Sequence, residues 1–349
     1  KKIIDLSNQY QTAISIDSDG NIFRAFSMFV KFSRAHLKYG VSPIFYSLYN
    51  FDGVPENRWA EYVVDQKKFN SFLVANSKSE SRRIAGNKIQ FHRHCVNNGI
   101  PVIPILCVVS KDNKFKIDGL EFVDNLSKWL EVIMKSTGEI FIKPVIGSKG
   151  DDSFVALRVG DRFKFAGANG SAEDIYNYLQ LRLNKPGKGF LVQPRMRPYP
   201  PLVGVVSANG LSTVRVITHI RNGKPEILMA CLKIIAGNNV HDNFSQGMSN
   251  NLVALINIET GVLETAWGSL ERNWPKMAKF SHHPDTGAVI EGSVFPFWRE
   301  LVQLALKAQE SLPSIQTIGW DIALTSEGLF IVEANTTYGV ALFQVARQK

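Results

Sequence analysis

Three hard oxygen donors stand near the C-terminal end of the chain: Asp321, Glu333 and Asn335. Glu333 and Asn335 are two residues apart, so on an extended strand they face the same side. The runs Ile318–Leu324 and Leu329–Glu333 read as strands joined through Glu327–Gly328. Antiparallel pairing about Glu327 sets Asp321 opposite Glu333. Their neighbours Ile322, Ile331 and Val332 are apolar, and a carboxylate among them needs a compensating charge. Magnesium meets that need, since it is held by one or two carboxylates together with substrate phosphates. The bland alternative is a carboxylate pair on a solvated hairpin face, and the apolar flanks weigh against it.

Cations of complementary kind lie upstream. Lys143 ends the strand-like run Ile140–Phe141–Ile142–Lys143–Pro144 and is followed by Gly147–Ser148–Lys149–Gly150. Backbone amides of a glycine-containing loop approach phosphate oxygens closely, and a lysine adds a point charge. Taken alone, a lysine before a turn is more often a plain surface residue. The loop has no Gly-Lys-Ser/Thr, so it is not a P-loop, and it is not a dinucleotide fingerprint either. Arg215 alternates with apolar residues in Thr213–Ile217, and Lys233 does the same in Leu232–Ile235. Each needs an anion, whether a ligand or a structural ion-pair partner. His241–Asp242–Asn243–Phe244 with Gly247 makes a polar loop after a strand. His92 and His94 do not share a helix face, His282–His283 sits in a loop before Pro284, and neither pair reads as a metal site. No serine elbow or Cys/His arrangement stands out.

The elements that position these residues read as an α+β build. Roughly the first 80 residues are helical. Phe23, Phe26, Phe29, Val30 and Leu37 recur at helical spacing, which predicts a buried face, with Lys31, Arg34 and Lys38 on a solvated one. Ile84–Asn98 and Phe122–Ser136 read as helices and Ile100–Val109 as a buried strand. Strands follow at Phe154–Val159 and Phe190–Pro194, with a helix between them opened by Ser171 and Asp174. Asn222–Gly223 and Thr260–Gly261 mark hairpins, and Phe297–Ser311 reads as a helix. The predicted division is a helical region over 1–80, a nucleotide-lysine subdomain over 81–190 and a catalytic subdomain over 191–349.

Bulk properties narrow the class. The 349 residues are 45% hydrophobic and 20% charged, which suits a globular chain with a sizeable core. A net charge of +9 favours an anionic partner: nucleotide, nucleic acid, glycan or membrane surface. No recognition helix, RNP-like aromatic strand or zinc knuckle supports nucleic acid. Cys95, Cys107 and Cys231 form no CxxC pair, which argues against a disulfide framework and points to a reducing compartment. Lys1–Asp5 does not have the pattern of a signal peptide, and no apolar run approaches the roughly 20 residues of a membrane span. A cytoplasmic setting is the expectation.

The order of elements resembles the ATP-grasp superfamily, in particular its sugar-transfer-associated branch, related to α-L-glutamate ligases. The likeness runs roughly from Tyr39 to Gly339. It rests most on Ile318–Gly319–Trp320–Asp321–Ile322–Ala323–Leu324 and Phe330–Ile331–Val332–Glu333–Ala334–Asn335. His283–Pro284–Asp285–Thr286–Gly287, Phe297–Trp298 and Tyr39–Gly40–Val41–Ser42–Pro43 add to it. The resemblance implies two α+β subdomains clamping ATP after a helical N-terminal region. It implies Lys88 and Lys143 as nucleotide lysines, and Gly147, Ser148 and Gly150 in a phosphate lid. Gln193 would face the adenine edge. Arg215 would steady the transferred phosphate, with Lys233 and Asn243 as the basic and amide positions of the active site. Asp321, Glu333 and Asn335 would hold Mg2+. The loop Phe244–Ser245–Gln246–Gly247–Met248 departs from the family in lacking its usual glycine pair, Ala334 replaces a common glycine, and helices replace the familiar N-terminal Rossmann-like domain.

The implied reaction is phosphorylation of a carboxylate by ATP, followed by amine attack, in cell-surface polysaccharide or amino-acid–sugar conjugate biosynthesis. A kinase of a sugar or small molecule on the same fold is one alternative. A non-enzymatic nucleotide or nucleic-acid binder is the other.

Overall fold

Short polar residues start the N-terminal helices, and their side chains explain where each begins. In the computed structural model, which describes residues 6–136, 138–147, 152–184, 188–269 and 273–347, α1 (Leu6–Ser18), α2 (Ile22–Tyr39) and α3 (Pro43–Leu48) come first. Then come α4 (Gln66–Ala75), α5 (Ser79–Gly86) and α6 (Lys88–Asn97). Asn21, Ser42, Asp65 and Asn87 accept hydrogen bonds from first-turn amides of α2, α3, α4 and α6. Asn87 also divides the single helix predicted over 84–98 into α5 and α6. Its side chain accepts from Ile89 and Gln90, so it caps a new helix instead of continuing the old one.

The predicted burial of α2 is corrected. Its inner face is Met28, Phe32 and Ala35, whereas Phe23, Phe26, Phe29, Val30 and Leu37 face outward. The lysines and arginine predicted to be merely solvated lie alongside carboxylates: Lys31 pairs with Asp52, and Arg34 and Lys38 share Glu56. Periodicity identified the helix but could not say which of two apolar stripes meets the core.

The first sheet comprises β1 (Cys107–Ser110), β2 (Phe122–Val123), β3 (Ile140–Pro144), β4 (Phe154–Val159), β5 (Arg162–Phe165), β6 (Ala168–Gly170) and β7 (Gly189–Pro194). Their order is β2-β1-β7-β3-β4-β5-β6. Helices α7 (Leu126–Lys135) and α8 (Ala172–Arg182) cover one face through Trp129, Ile133, Ile175 and Leu179. A capping box between Ser171 and Asp174 opens α8, as predicted. The helix predicted from Phe122 starts later, because Phe122 and Val123 pair with Val108 and Val109. The strand predicted over 100–109 is confined to its end, because Pro101 and Pro104 supply no amide hydrogen to a ladder.

The second sheet runs β12-β11-β10-β9-β8-β13-β14. Its strands are β8 (Val214–Arg221), β9 (Lys224–Ile234), β10 (Leu252–Ile256), β11 (Leu263–Gly268), β12 (Ala278–Phe280), β13 (Thr317–Thr325) and β14 (Gly328–Asn335). Asn222 and Gly223 take φ of 51° and 77°, the left-handed pair a two-residue hairpin requires. Strand alternation sends Val214, Val216, Leu232, Trp320 and Ile322 to a core closed by α9 (Trp298–Glu310). Ile217, Cys231, Val253 and Leu255 point the opposite way. There they meet Phe32, Leu48, Tyr49 and Phe51 of the helical region and Phe343 of α10 (Ala341–Ala346). The N-terminal helices therefore cover the face of the second sheet that carries Arg215, which lies directly across from Cys231.

Candidate active site

Register across β8, β13 and β14 assembles the site. Arg215 lies opposite Asp321, and Asp321 lies opposite Glu333. Residues opposed on antiparallel strands project to one side, so the three side chains form a row. The Asp321–Glu333 pairing is the one predicted from the turn at Glu327. Arg215 donates from Nε to Asp321 Oδ1 at 2.6 Å and from Nη2 to Oδ2 at 2.9 Å, a bidentate pair. Lys233 Nζ reaches Asp321 Oδ2 at 3.3 Å and Asp242 Oδ2 at 3.1 Å. Asn335 Nδ2 also points at Asp321 Oδ2, 3.4 Å away.

These are buried charges. Burial alone would raise the Asp321 pKa, but the charges and hydrogen bonds of Arg215 and Lys233 outweigh it and hold the carboxyl below its usual range. Burial pushes the Lys233 ammonium toward neutrality, and Asp242 and Asp321 more than reverse this. Asp242 was noted in sequence only as part of a polar loop. Its Oδ2 accepts from the Thr213 amide at 2.9 Å and hydroxyl at 2.6 Å as well as from Lys233. No sequence signal singled it out, because its partners, Thr213 before β8 and Lys233 near the end of β9, meet it only in the fold.

Glu333 differs from Asp321. It makes no hydrogen bond or ion pair among the described residues, and burial and the nearby Asp321 charge raise its pKa. Lys88 and Lys143 are the cations nearest it in electrostatic effect. Burial, followed by repulsion from Lys88, pushes Lys143 down to about 8. Lys88 is lowered by burial, with Glu333 opposing, and its Nζ donates to the Gly147 carbonyl at 2.9 Å.

A cavity of about 190 Å³ joins these groups. Lys88, Lys143, Gly147 and Gln193 line it from one side, and Lys233, Asn243, Asp321 and Glu333 from the other. Phe141 and Lys143 share its wall because they alternate with the core residues Ile140 and Ile142. Arg215 and Asn335 stand behind the wall, on Asp321. Ser148 and Gly150 lie outside the described residues.

Gln193 was predicted to belong with Arg215, and this is corrected. Its strand β7 pairs with β3, setting Gln193 opposite Phe141 in the first sheet. The predicted boundary at 190/191 falls inside that strand. The Gln193 side chain is occupied too, donating to the Ile103 and Pro104 carbonyls at 3.1 and 3.2 Å.

The far rim is tied down by Asn251, which sequence reading missed entirely. Its amide nitrogen donates to the carbonyls of His241 and Asn243. Its amide oxygen accepts from the Ala236 amide and the Asn239 side chain. His283 Nε2 lies 3.0 Å from the Ile235 carbonyl, and Asp285 accepts from the Gly237 amide. The motif His283–Gly287 thus braces the start of the segment that presents Asp242 and Asn243.

A family model described as sugar-transfer associated ATP-grasp matches residues 69–349. The chain belongs to that family. The match begins later than the expected Tyr39 and leaves α1, α2 and α3 outside it. No sequence match is found among curated proteins. Among solved structures, D-alanyl-alanine synthetase A from Vibrio cholerae is 14% identical with a TM-score of 0.45, covering 78% of this chain and 61% of that one. VanG D-Ala:D-Ser ligase from Enterococcus faecalis is 12% identical, TM-score 0.41, covering 76% and 56%. A RimK domain ATP-grasp protein from Sphaerobacter thermophilus is 13% identical, TM-score 0.38, covering 78% and 68%. The ATP-grasp chain thus spans only about half to two thirds of such structures, and their substrates do not carry over to it.

Two lysines facing one cavity repel each other and call for an anion such as a polyphosphate. An unpaired carboxylate beside them calls for a cation. Among the described residues no cluster of three His, Cys, Asp or Glu forms a metal site by itself. A metal here would need phosphate oxygens and the Asn335 amide oxygen in addition, which is how magnesium is usually held. Asp321 fits less simply, because both its oxygens already accept from cations. The donor set fits Mg-ATP, with Glu333 facing the cavity freely and Asn335 reaching it only from behind the wall, beside Asp321.

Proposed function

We propose that this chain is an ATP-dependent, ADP-forming carboxylate–amine ligase. The observation that carries the reading is the facing of Lys88 and Lys143 with Glu333 across one cavity, none of the three forming an ion pair among the described residues. Lys88 and Lys143 would bind the phosphates of ATP. Lys88 would exchange its Gly147 carbonyl for a phosphate oxygen. Gln193 and its strand backbone would meet the base. Glu333 and Asn335, with Asp321, would hold magnesium, which when bound screens phosphate charge.

The substrate carboxylate would enter from the side of Lys233 and Asn243. Its oxygen attacks the γ-phosphorus, the bond to the β-bridging oxygen breaks, and ADP leaves. Lys233, at the cavity wall, would stabilise the charge spread over the transferring group, with Arg215 acting from behind the wall through Asp321. The amine then attacks the acyl carbon, phosphate leaves, and the amine proton is lost to the released phosphate or solvent. A sugar-linked acceptor follows only from the family's description. A reducing, ATP-containing compartment such as the cytoplasm suits three cysteines that are free and buried.

The test is hydroxylamine trapping. The protein is incubated with Mg-ATP, hydroxylamine and, one at a time, the proteinogenic amino acids, D-alanine and glucuronic acid. A hydroxamate formed with stoichiometric ADP supports an acyl-phosphate ligase. A stable phosphorylated product without hydroxamate means a kinase and ends the ligase reading. Absence of Mg-ATP binding by calorimetry ends both.

A further inference from the structure

Helix α2 carries an apolar stripe that is largely exposed, with the ring of Tyr10 packed 5.4 Å from that of Phe29. Ile22, Phe26, Phe29 and Leu37 recur on one side, with Phe23 and Val30 at its edge. Ile22, Phe23 and Leu37 are 78%, 84% and 85% exposed, and Phe26 69%. Single exposed apolar residues are ordinary; several along one side of a helix, interrupted here by Ser33, mark an interaction site. The next sector of the same helix carries Arg24, Lys31, Arg34 and Lys38, and α2 contains no acidic residue. The third sector, Met28, Phe32 and Ala35, faces the core.

Charge chooses the occupant: beside the stripe α2 carries a basic edge and no acidic residue, the pattern of a helix that lies in an anionic lipid interface. A bilayer interface needs only that the side chains enter it, the helix lying in the plane with cations at headgroup level. The four cations now meet Asp19, Asp52 and Glu56 in exposed pairs, Arg34 and Lys38 sharing one carboxylate. Such pairs contribute little in water, so lipid phosphates can replace the carboxylates at small cost. Among the described residues no helix is long and apolar enough to cross a membrane, so α2 would lie on a bilayer, not in it.

We propose that α2 docks the protein on an anionic lipid surface, its apolar stripe entering the interface and its basic edge meeting lipid phosphates. The helical region packs on the face of the second sheet that holds the Arg215–Asp321–Glu333 row. Docking would therefore hold the catalytic cavity at a fixed orientation to the membrane. The inference is independent of the reaction assigned above.

The test is flotation of the 349-residue chain with vesicles of phosphatidylcholine plus phosphatidylglycerol, and of phosphatidylcholine alone. The wild type is expected to float with the anionic vesicles, less as salt rises. The F23S/F26S/L37S variant should lose more than tenfold in partitioning, since each side chain leaves an apolar environment. Its thermal midpoint should stay at the wild-type value, because all three residues are exposed. The R34Q/K38Q variant should lose roughly fivefold per cation and much of the salt dependence. Equal flotation with neutral vesicles, unchanged flotation of the triple variant, or no flotation of the wild type would each overturn the proposal. Self-association abolished in the triple variant, without flotation, would assign the stripe to a second copy instead.

Discussion

Arg215 and Asp321 occupy paired positions on adjacent strands, and their side chains close a bidentate ion pair with both carboxylate oxygens engaged. Few pairs in the molecule combine such geometry with such burial: the side chains are 11% and 7% exposed. Breaking a buried pair leaves an uncompensated charge, at a cost of about 3–5 kcal/mol. Lys233 remains beside Asp321, so R215A should fall at the lower end, about 3 kcal/mol. The R215M/D321N double variant removes both charges and should be more stable than R215A in urea unfolding. Equal or greater instability of the double variant would show that the pair is not what supports the strand contact.

Lys143 should set a pH dependence for nucleotide binding. Its pKa is pushed down to about 8 by burial and by Lys88. Below that value the ammonium is charged and attracts phosphate; above it the charge, and with it the affinity, is lost. Bound phosphate would raise the pKa again, so binding near pH 8 should take up protons. Calorimetry of ATP binding in two buffers of different ionisation enthalpy measures that uptake directly. In K143R the guanidinium stays charged, so the uptake and the loss of affinity due to Lys143 should disappear, leaving only the part due to Lys88, which burial also lowers. A wild type whose affinity is flat from pH 7 to pH 10 would remove Lys143 from the phosphate site.

How much of this was legible in the sequence differs by element. The Asp321–Glu333 pairing was readable, because a Glu-Gly turn between apolar runs leaves little freedom of register. The hairpin at Asn222–Gly223 was readable for the same local reason. The apolar stripe of α2 was read with the correct period and the wrong burial, since its exposed and buried sides are both apolar. Asp242 and Asn251 were not found. Their roles depend on Thr213, Lys233, Ala236 and His241 meeting in space, and nothing local encodes that. Gln193 was assigned a residue type's role, but strand pairing, a long-range property, decides its sheet.

Glu333 should govern magnesium dependence. Its carboxylate has no partner among the described residues, so E333Q removes charge from the cavity without breaking an ion pair. Folding stability should stay near wild type or rise slightly, because a raised pKa means that ionised Glu333 opposes folding at neutral pH. The sign follows from the unfolded state, which releases that proton more readily. Calorimetry should show nucleotide binding retained without magnesium, while the gain on adding magnesium drops by tenfold or more, on the order seen for weakened metal sites. An E333Q protein with unaltered magnesium enhancement would move the metal to other donors.

Asn251 controls the rim that presents Asp242 and Asn243. It is buried, and four hydrogen bonds use both donors and the oxygen twice, at 2.7–3.1 Å. Truncation in N251A leaves two carbonyls and one backbone amide without partners, each costing about 1–3 kcal/mol when buried. The contributions are not additive because the loop relaxes, so a net loss of about 2–4 kcal/mol is expected in urea unfolding. The functional effect should be selective. Lys88 and Lys143 sit on other elements, so ATP binding should change by less than threefold, whereas Lys233 loses the fixed position of Asp242 and acceptor-dependent turnover should fall much further. N251D keeps the acceptor oxygens but replaces the donor toward His241 and Asn243 with a charge, so it should be no better than N251A. If N251A instead weakens ATP binding and turnover equally, the segment from Ala236 to Asn243 is part of the nucleotide site rather than of the acceptor site.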